Sequence, residues 1–445
     1  MRLFSSLGAR PVLALSLLAC VSLARPAHAQ LKAAETIALQ DVLRRAAKNP
    51  PAVRRAFAVL ERARAEASAA GALWFPSFSA EGVAGGRVSR QIIFPDTPPF
   101  DAVAYDLRSS AGLEWSALNL ARGATISARD AAAQSEMANG AASQRTAAAQ
   151  AAELYLRAGA ASDLIDDAKL TLERRSRQHQ AISELVKSGN RSPVEAERTK
   201  VELLSAKFML AMRESDEAAS FAALAVAIGR PATEPVRPAT RSGEFVGAAA
   251  VVTAERAYDL AKKNRPEIQA AVWAISSLRE DYSAAIYERL PTLGITASGS
   301  ASYSQTLSGI GINGSQYSAV GGVFLRWRGL DPLVWQRGNV AAALKVQAER
   351  GLEVTEQQVT AEAVAAFYAL QRAKLERERA IEVLLTAGAT REAQNDRYRV
   401  GVGSLLELLD AESLEQDARL RRIEAERDEA IATARLLAAC GLMVP

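Results

Sequence analysis

The sequence is poor in the residues on which metal and redox chemistry depend. Its 445 residues include two Cys and two His. Cys20 and His28 fall within the first 29 residues, read below as a leader, so the remainder keeps only Cys440 and His179. One of each cannot build an intrachain disulfide or a Cys/His zinc site. No Ser/His/Asp order, phosphate-cradling glycine loop or dense carboxylate cluster points to catalysis, so neither an enzyme nor a cofactor is expected. An excess of one charge is also missing. Removing Arg2, Arg10 and Arg25 with the leader leaves 51 basic against 50 acidic residues, which excludes an argument from basicity for nucleic acid. Beyond the leader there is no stretch of 18 apolar residues, so a helical membrane protein is excluded. Proline is absent from 101 to 192 and from 333 to 444. What is present is a 49% apolar, Ala-rich chain with 6% aromatics, a composition of long helices rather than disorder.

Met1 to Ala29 has the form of a secretory signal. Arg2 and Arg10 supply the positive start, Val12 to Ala24 the apolar stretch, and Ala27-His28-Ala29 an A-x-A cleavage site. The alternative is a lipoprotein box, Leu17-Leu18-Ala19-Cys20, with Cys20 acylated. Either route takes the mature chain out of the cytoplasm.

A tandem duplication organises the mature chain. Asn49-Pro50-Pro51 answers Asn264-Arg265-Pro266, and Asn49 to Pro76 and Asn264 to Pro291 both span 27 positions. Trp115, Leu118, Gly189, Ser192 and Glu195 recur 212 positions later as Trp327, Leu330, Gly401, Ser404 and Glu407. Tyr155 answers Tyr368, and Gly229 answers Gly441. Two structural repeats are expected, 30–229 and 254–445, joined by a linker at 230–253 that carries Pro231, Pro235 and Pro238.

Each repeat reads in the same order. A helix of about 24 residues (51–74, 266–289) starts at Pro and stops at Pro76 or Pro291. Period-two alternation over 77–118 and 292–330 then predicts two strands per repeat, of about 9–12 residues each. Long helices come next, over about 120–228 and 333–440. A continuous helix over 120–187 would reach roughly 100 Å, the size of an element that joins a coiled coil or lines something equally long. Strands of this length suit a bilayer-spanning barrel, yet four cannot close, and open edges in lipid leave backbone groups unpaired. The chain must therefore oligomerise if its strands meet lipid. Trp74, Trp115, Trp327 and Trp335 fall at or near strand–helix junctions, as an interfacial girdle or as packing of the junction core.

Other signals are bland. Gly309 to Gly314 fits G-x-G-x-x-G but lies between predicted strands, as a hairpin loop would. His179 reads as a solvated helix residue, Cys440 as a small buried hydrophobe, and runs such as Glu173-Arg174-Arg175 as solvated helix faces.

The ordered set of signals resembles the TolC family of outer-membrane efflux proteins across essentially the whole mature chain. It comprises the duplicated Asn-x-Pro helix, the Pro before the strands, the G-x-x-S turns, and above all Tyr398-Arg399-Val400-Gly401-Val402-Gly403-Ser404-Leu405-Leu406-Glu407-Leu408-Leu409-Asp410-Ala411. The resemblance implies a mostly α fold: long antiparallel helices forming a periplasmic α-barrel, and four antiparallel strands per chain completing a twelve-stranded outer-membrane barrel in a homotrimer. It implies an exit duct docked to a periplasmic adaptor and an inner-membrane pump of the proton-driven or ATP-binding class, in a tripartite efflux or type I secretion system. It also implies that Glu407 and Asp410, one helical turn apart, ring the periplasmic entrance, and that Tyr398 helps hold it shut. The family's Arg partner position is Gly403 here, leaving Arg397 or Arg399 as substitutes. The turns at Gly189, Asn190 and Ser192 and at Gly401, Gly403 and Ser404 are then where adaptors engage. From the residues alone, Ser404-x-x-Glu407 and Ser192-x-x-Glu195 are equally capping boxes. The rival reading is a soluble periplasmic coiled-coil scaffold or adaptor without a barrel.

Overall fold

The computed structural model describes residues 35–91, 100–240, 253–308 and 313–443. The leader, both readings of its processing, and Gly309 to Ile312 of the glycine-rich loop lie outside the described residues.

The first repeat opens with β1 (Glu35–Ile37), α1 (Leu39–Ala46) and α2 (Pro51–Gly71). It continues with β2 (Ser77–Gln91), β3 (Phe100–Leu118), α3 (Leu120–Lys187) and α4 (Pro193–Ala227). A short β4 (Val236–Pro238) lies in the region between the repeats. The second repeat runs α5 (Ala254–Asn264), α6 (Pro266–Tyr287), β5 (Thr292–Ser308), β6 (Gly314–Arg326), α7 (Pro332–Arg399) and α8 (Leu405–Ala439). The two long helices match in length at 68 residues each, and the two after them at 35 each.

Punctuation explains the boundaries. Asn119 and Asp331 cap α3 and α7 by accepting from the amides of Ala121 and Leu333 at 3.1 and 2.9 Å. Pro stands at the first position of α2, α4, α6 and α7, where its missing N–H costs nothing. Gly189 and Gly401 end the long helices at φ +78° and +81°, and Gly229 and Gly441 end the shorter ones at +82° and +70°. The last pair explains the Asn of the repeated motif. A Cβ on Gly229 would lie 2.8 Å from Asn49, and one on Gly441 2.9 Å from Asn264, so each repeat closes glycine against asparagine.

The strands are longer than the sequence pattern suggests, at 15, 19, 17 and 13 residues. Alternation fades towards their ends, but antiparallel pairing continues past it. The sheet order is β2-β3-β5-β6, so within the protomer β2 and β6 are edges. The helices after the strands also form a layer. α3 packs on α4 and α8, and α7 packs on α8, giving the order α4-α3-α8-α7.

Around the mid-length of the helices lies the main core. Tyr155, Leu224, Ile228 and Val236 are fully or almost fully buried there, together with Ala148, Ala151 and Ala152. β1 pairs in parallel with β4 over it, and the Tyr155 hydroxyl bonds Thr240. A second core joins α5, α6, α7 and α8 through Ala257, Ile268, Phe367 and Leu436. α1, α5, β1 and β4 are further elements that the sequence pattern does not predict.

Candidate functional site

Two regions carry the chemistry of a conduit: the strand sheet and the paired helix tips.

Register gives the sheet two faces of different character. On one, Phe78, Leu113, Ala297 and Gly321 stand in line across the four strands, as do Ala84, Leu107 and Tyr303 across three. Phe78, Leu107, Tyr317, Val323 and Leu325 are all exposed there, with Leu325 at 70%. The other face carries Thr292, Thr296, Ser298, Ser300, Ser302, Ser304 and Thr306 along β5, and Ser300 bonds Ser318 across to β6 at 2.7 Å. Several charges of that polar face pair across it: Arg87 and Arg108 approach Asp106 at 3.6 and 3.9 Å, and Arg326 approaches Glu114 at 3.1 Å. No soluble protein of one chain leaves an apolar sheet face bare beside two open edges, because both are sites of association.

The junction tryptophans serve as packing and leave ring surface free. Trp115 Nε1 donates to the Trp74 carbonyl at 3.1 Å, Trp327 to Arg289 at 3.0 Å and Trp335 to Gly329 at 2.8 Å. Arg122 stacks on Trp74 and Arg289 on Trp335. Trp74 and Trp327 nevertheless remain 56% and 57% exposed.

At the other end the turns 188–192 and 400–404 sit side by side. Gly189, Asn190 and Ser192 are at one, and Gly401, Gly403 and Ser404 at the other. The link between them is Arg191, whose guanidinium lies 4.6 Å from the Tyr398 ring centre and 3.8 Å from Glu195. Neither Arg397 nor Arg399 takes that place. Gly403 has little room for a side chain, since a Cβ there would lie 3.1 Å from both Arg397 Cβ and the Tyr398 amide. The Tyr398 hydroxyl is buried and makes no hydrogen bond within the chain, among the described residues. Burial pushes this phenol above its ordinary pKa, against the pull of Arg191 and with a further push from Glu195.

Ser404 accepts the Glu407 amide at 3.2 Å, which is the capping half of the motif. Among the described residues, the Glu407 and Asp410 carboxylates make no ion pair within the chain, and both are exposed on the side of α8 that turns away from α3. Glu195 spends its carboxylate on Arg191 instead. Val400 and Val402, which flank Gly401 in the second tip, are each 74% exposed at the turn.

From about two to five turns behind the tip, α8 is tied to α3 and α7 by an ionic cluster. Arg175, 6% exposed, meets Glu412 at 2.5 Å and Glu202 at 3.7 Å. Glu415 holds Arg174, Arg391 and Arg419 at 3.5, 3.1 and 3.0 Å, and Arg419 meets Asp167 at 2.9 Å. This corrects the reading of Glu173-Arg174-Arg175 as a wholly solvated face, because α3 turns Arg175 against α8. His179 is likewise no free surface residue, as its Nδ1 lies 3.0 Å from Thr199 Oγ1 across the α3–α4 hairpin. Burial raises the Glu412 carboxyl above its usual value despite the cations around it. Cys440 is buried as expected, its thiol pushed up to about 11.

An amphipathic four-stranded sheet with open edges, continued by helices roughly 100 Å long, defines one protomer of an outer-membrane channel with an extended helical conduit. The sequence matches the outer membrane efflux protein family over residues 42–230 and 257–442, and the chain belongs to that family. It is an efflux channel of the outer membrane and not an enzyme. The outer membrane protein VceC of Vibrio cholerae has a similar fold, with a TM-score of 0.70 at 16% identity over 91% of this chain and 96% of that one. The open state of the Neisseria gonorrhoeae MtrE channel gives 0.67 at 19%, over 91% and 89%. The Campylobacter jejuni CmeC channel gives 0.70 at 16%, over 91% and 85%. No curated protein matches the sequence significantly.

Proposed function

We propose that three copies of this chain close a twelve-stranded barrel and a helical conduit, forming the passive exit duct of a tripartite efflux or type I secretion assembly. The observation that carries the reading is the sheet: its apolar face and two unpaired edges become satisfied together when β2 of one copy pairs with β6 of the next. A periplasmic adaptor and an inner-membrane pump of the proton-driven or ATP-binding class would supply cargo and energy. The turns at Gly189, Asn190 and Ser192 and at Gly401, Gly403 and Ser404, with exposed Val400 and Val402 between, are the adaptor-facing surface. Extraction tests the duct: the protein should leave the membrane fraction only with detergent and elute as a trimer, whereas a monomer released without detergent would remove the reading. Intact mass of the mature chain decides between cleavage after Ala29 and acylation at Cys20.

Glu407 and Asp410 form the acidic constriction in this reading, with Tyr398 stacked under Arg191 as the tie that holds the two turns together. Three copies place six carboxylates around the axis, which attracts cations. Replacing both with Ala should weaken block by multivalent cations in planar bilayers. Unchanged block would take these residues out of the gate.

A further inference from the structure

The junction between the sheet and the long helices holds a cavity of about 330 Å³. Glu114, Thr292 and Arg326 bring the polar face of the sheet to it, and Glu288, Arg328 and Arg337 come from the segments around it. Arg122, from the first turn of α3, stands in its wall. The place follows from the duplication, since both repeats turn from strand into a 68-residue helix at this level.

The charges here do not balance, with four arginines and two glutamates in the lining. Glu114 meets Arg326 at 3.1 Å and Glu288 meets Arg337 at 3.5 Å. Among the described residues no carboxylate reaches Arg122 or Arg328. Arg122 is the more constrained of the two. It is 2% exposed, stacked on Trp74 at 4.7 Å, and its Nη2 donates to the Ser116 hydroxyl at 2.6 Å. Those contacts orient the guanidinium without neutralising it, and a buried charge with no counter-charge is costly. The first turns of α3 and α7 add the positive ends of two long helices. At α7 that end is met by the Asp331 carboxylate, at α3 only by the neutral Asn119 side chain. An excess of two positive charges complements a dianion, and forked guanidiniums suit the oxygens of a phosphate group. The volume suffices for such a group with a small organic remainder.

We propose that this cavity binds the phosphate group of a dissolved anion passing along the duct, held by Arg328 and Arg337 with the charge of Arg122 behind them. The site lies within one chain, whereas its opening on the lumen rests on the barrel reading, in which the polar sheet face points inward. A lipid phosphate has the same chemistry but would have to reach the face turned away from lipid. Three copies set a cationic ring where the helical conduit meets the barrel, opposite in sign to Glu407 and Asp410 at its far end.

Calorimetric titration of the detergent-solubilised full-length protein with inorganic phosphate, at fixed ionic strength, tests this. One saturable site per chain is expected. Arg328→Gln with Arg337→Gln, both exposed positions, should weaken binding about tenfold while the helical circular dichroism is kept. Arg350→Gln, which removes an exposed charge elsewhere on α7, should leave the affinity as it is. Absence of saturable binding to the unaltered protein, or equal affinity in the double variant, would overturn the proposal and leave the arginines as junction packing. Phosphorus in the lipid extract of the purified protein, lost from the double variant, would overturn it in favour of a lipid headgroup. A monomer that still binds phosphate would remove the duct and keep the site, and a trimer that binds none would do the reverse.

Discussion

Gly229 and Gly441 show how much one missing methyl group decides. Each combines a positive φ with a backbone neighbour where Cβ would stand, Asn49 in one repeat and Asn264 in the other. Gly229→Ala should destabilise the protein by about 1–3 kcal/mol, seen as a lowered melting temperature, whereas Gly351→Ala, in open space within α7, should be neutral or slightly stabilising. Glu412 allows a test of pH dependence. Its carboxyl holds a proton more tightly in the folded chain than in the unfolded one, because burial outweighs the attraction of Arg175. The contribution it makes to stability is then fully present below the ordinary carboxylate range and is lost as pH rises through the raised folded value. The wild type should gain melting temperature over Glu412→Gln as pH falls from neutral, and a constant difference would refute the assignment. The duplicated glycines could be found in the sequence by their fixed offset. Arg175 could not, because its partners Glu412 and Glu202 are 237 and 27 residues away and nothing in a charge run says which member faces inward.

The strands set the next scale. Their two faces were written in the alternation of the sequence, and the hydroxyl face of β5 was plain as a run of Ser and Thr at every second position. Their length was not, since glycines blur the period and only backbone pairing carries the strands onward. Placing Arg at Ala111, mid-strand on the apolar face, should cost about 2–4 kcal/mol in lipid and reduce the yield of folded trimer. The same residue placed at Ser300, on the polar face, should leave that yield unchanged. The helices were the most legible elements, because two proline-free stretches with paired start and stop signals leave little choice. The tip contact was hidden for the opposite reason. Nearness in the chain favours Arg397 or Arg399 as the partner of Tyr398, but the stacked cation is Arg191 from the other repeat.

Across the molecule, the seam between α3 and α8 changes character along its length. Near the main core it is apolar, with Ile431 and Ala434 against Ala148 and Tyr155, and further down Ile423 packs with Ala160 and Leu164. Beyond Asp167 and Arg419 it becomes ionic to within a few turns of the tips. Ion pairs gain little over their hydration, whereas apolar contacts lose outright when parted. Hydrogen exchange in α8 should therefore be faster over 405–419 than over 423–437, and Arg175→Ala should quicken the first segment without changing the second. Uniform exchange along α8 would contradict this division.

The matched helix lengths of the two repeats also set what a ring of three copies offers at its periplasmic rim. All its hairpins end at one height, so the rim has six crests although the axis is only threefold. Alternate crests differ in chemistry: one kind shows Lys187 and Asn190, the other Val400 and Val402. A collar of six identical subunits could fit that count, and its members would have to grip a cationic crest and an oily one by turns.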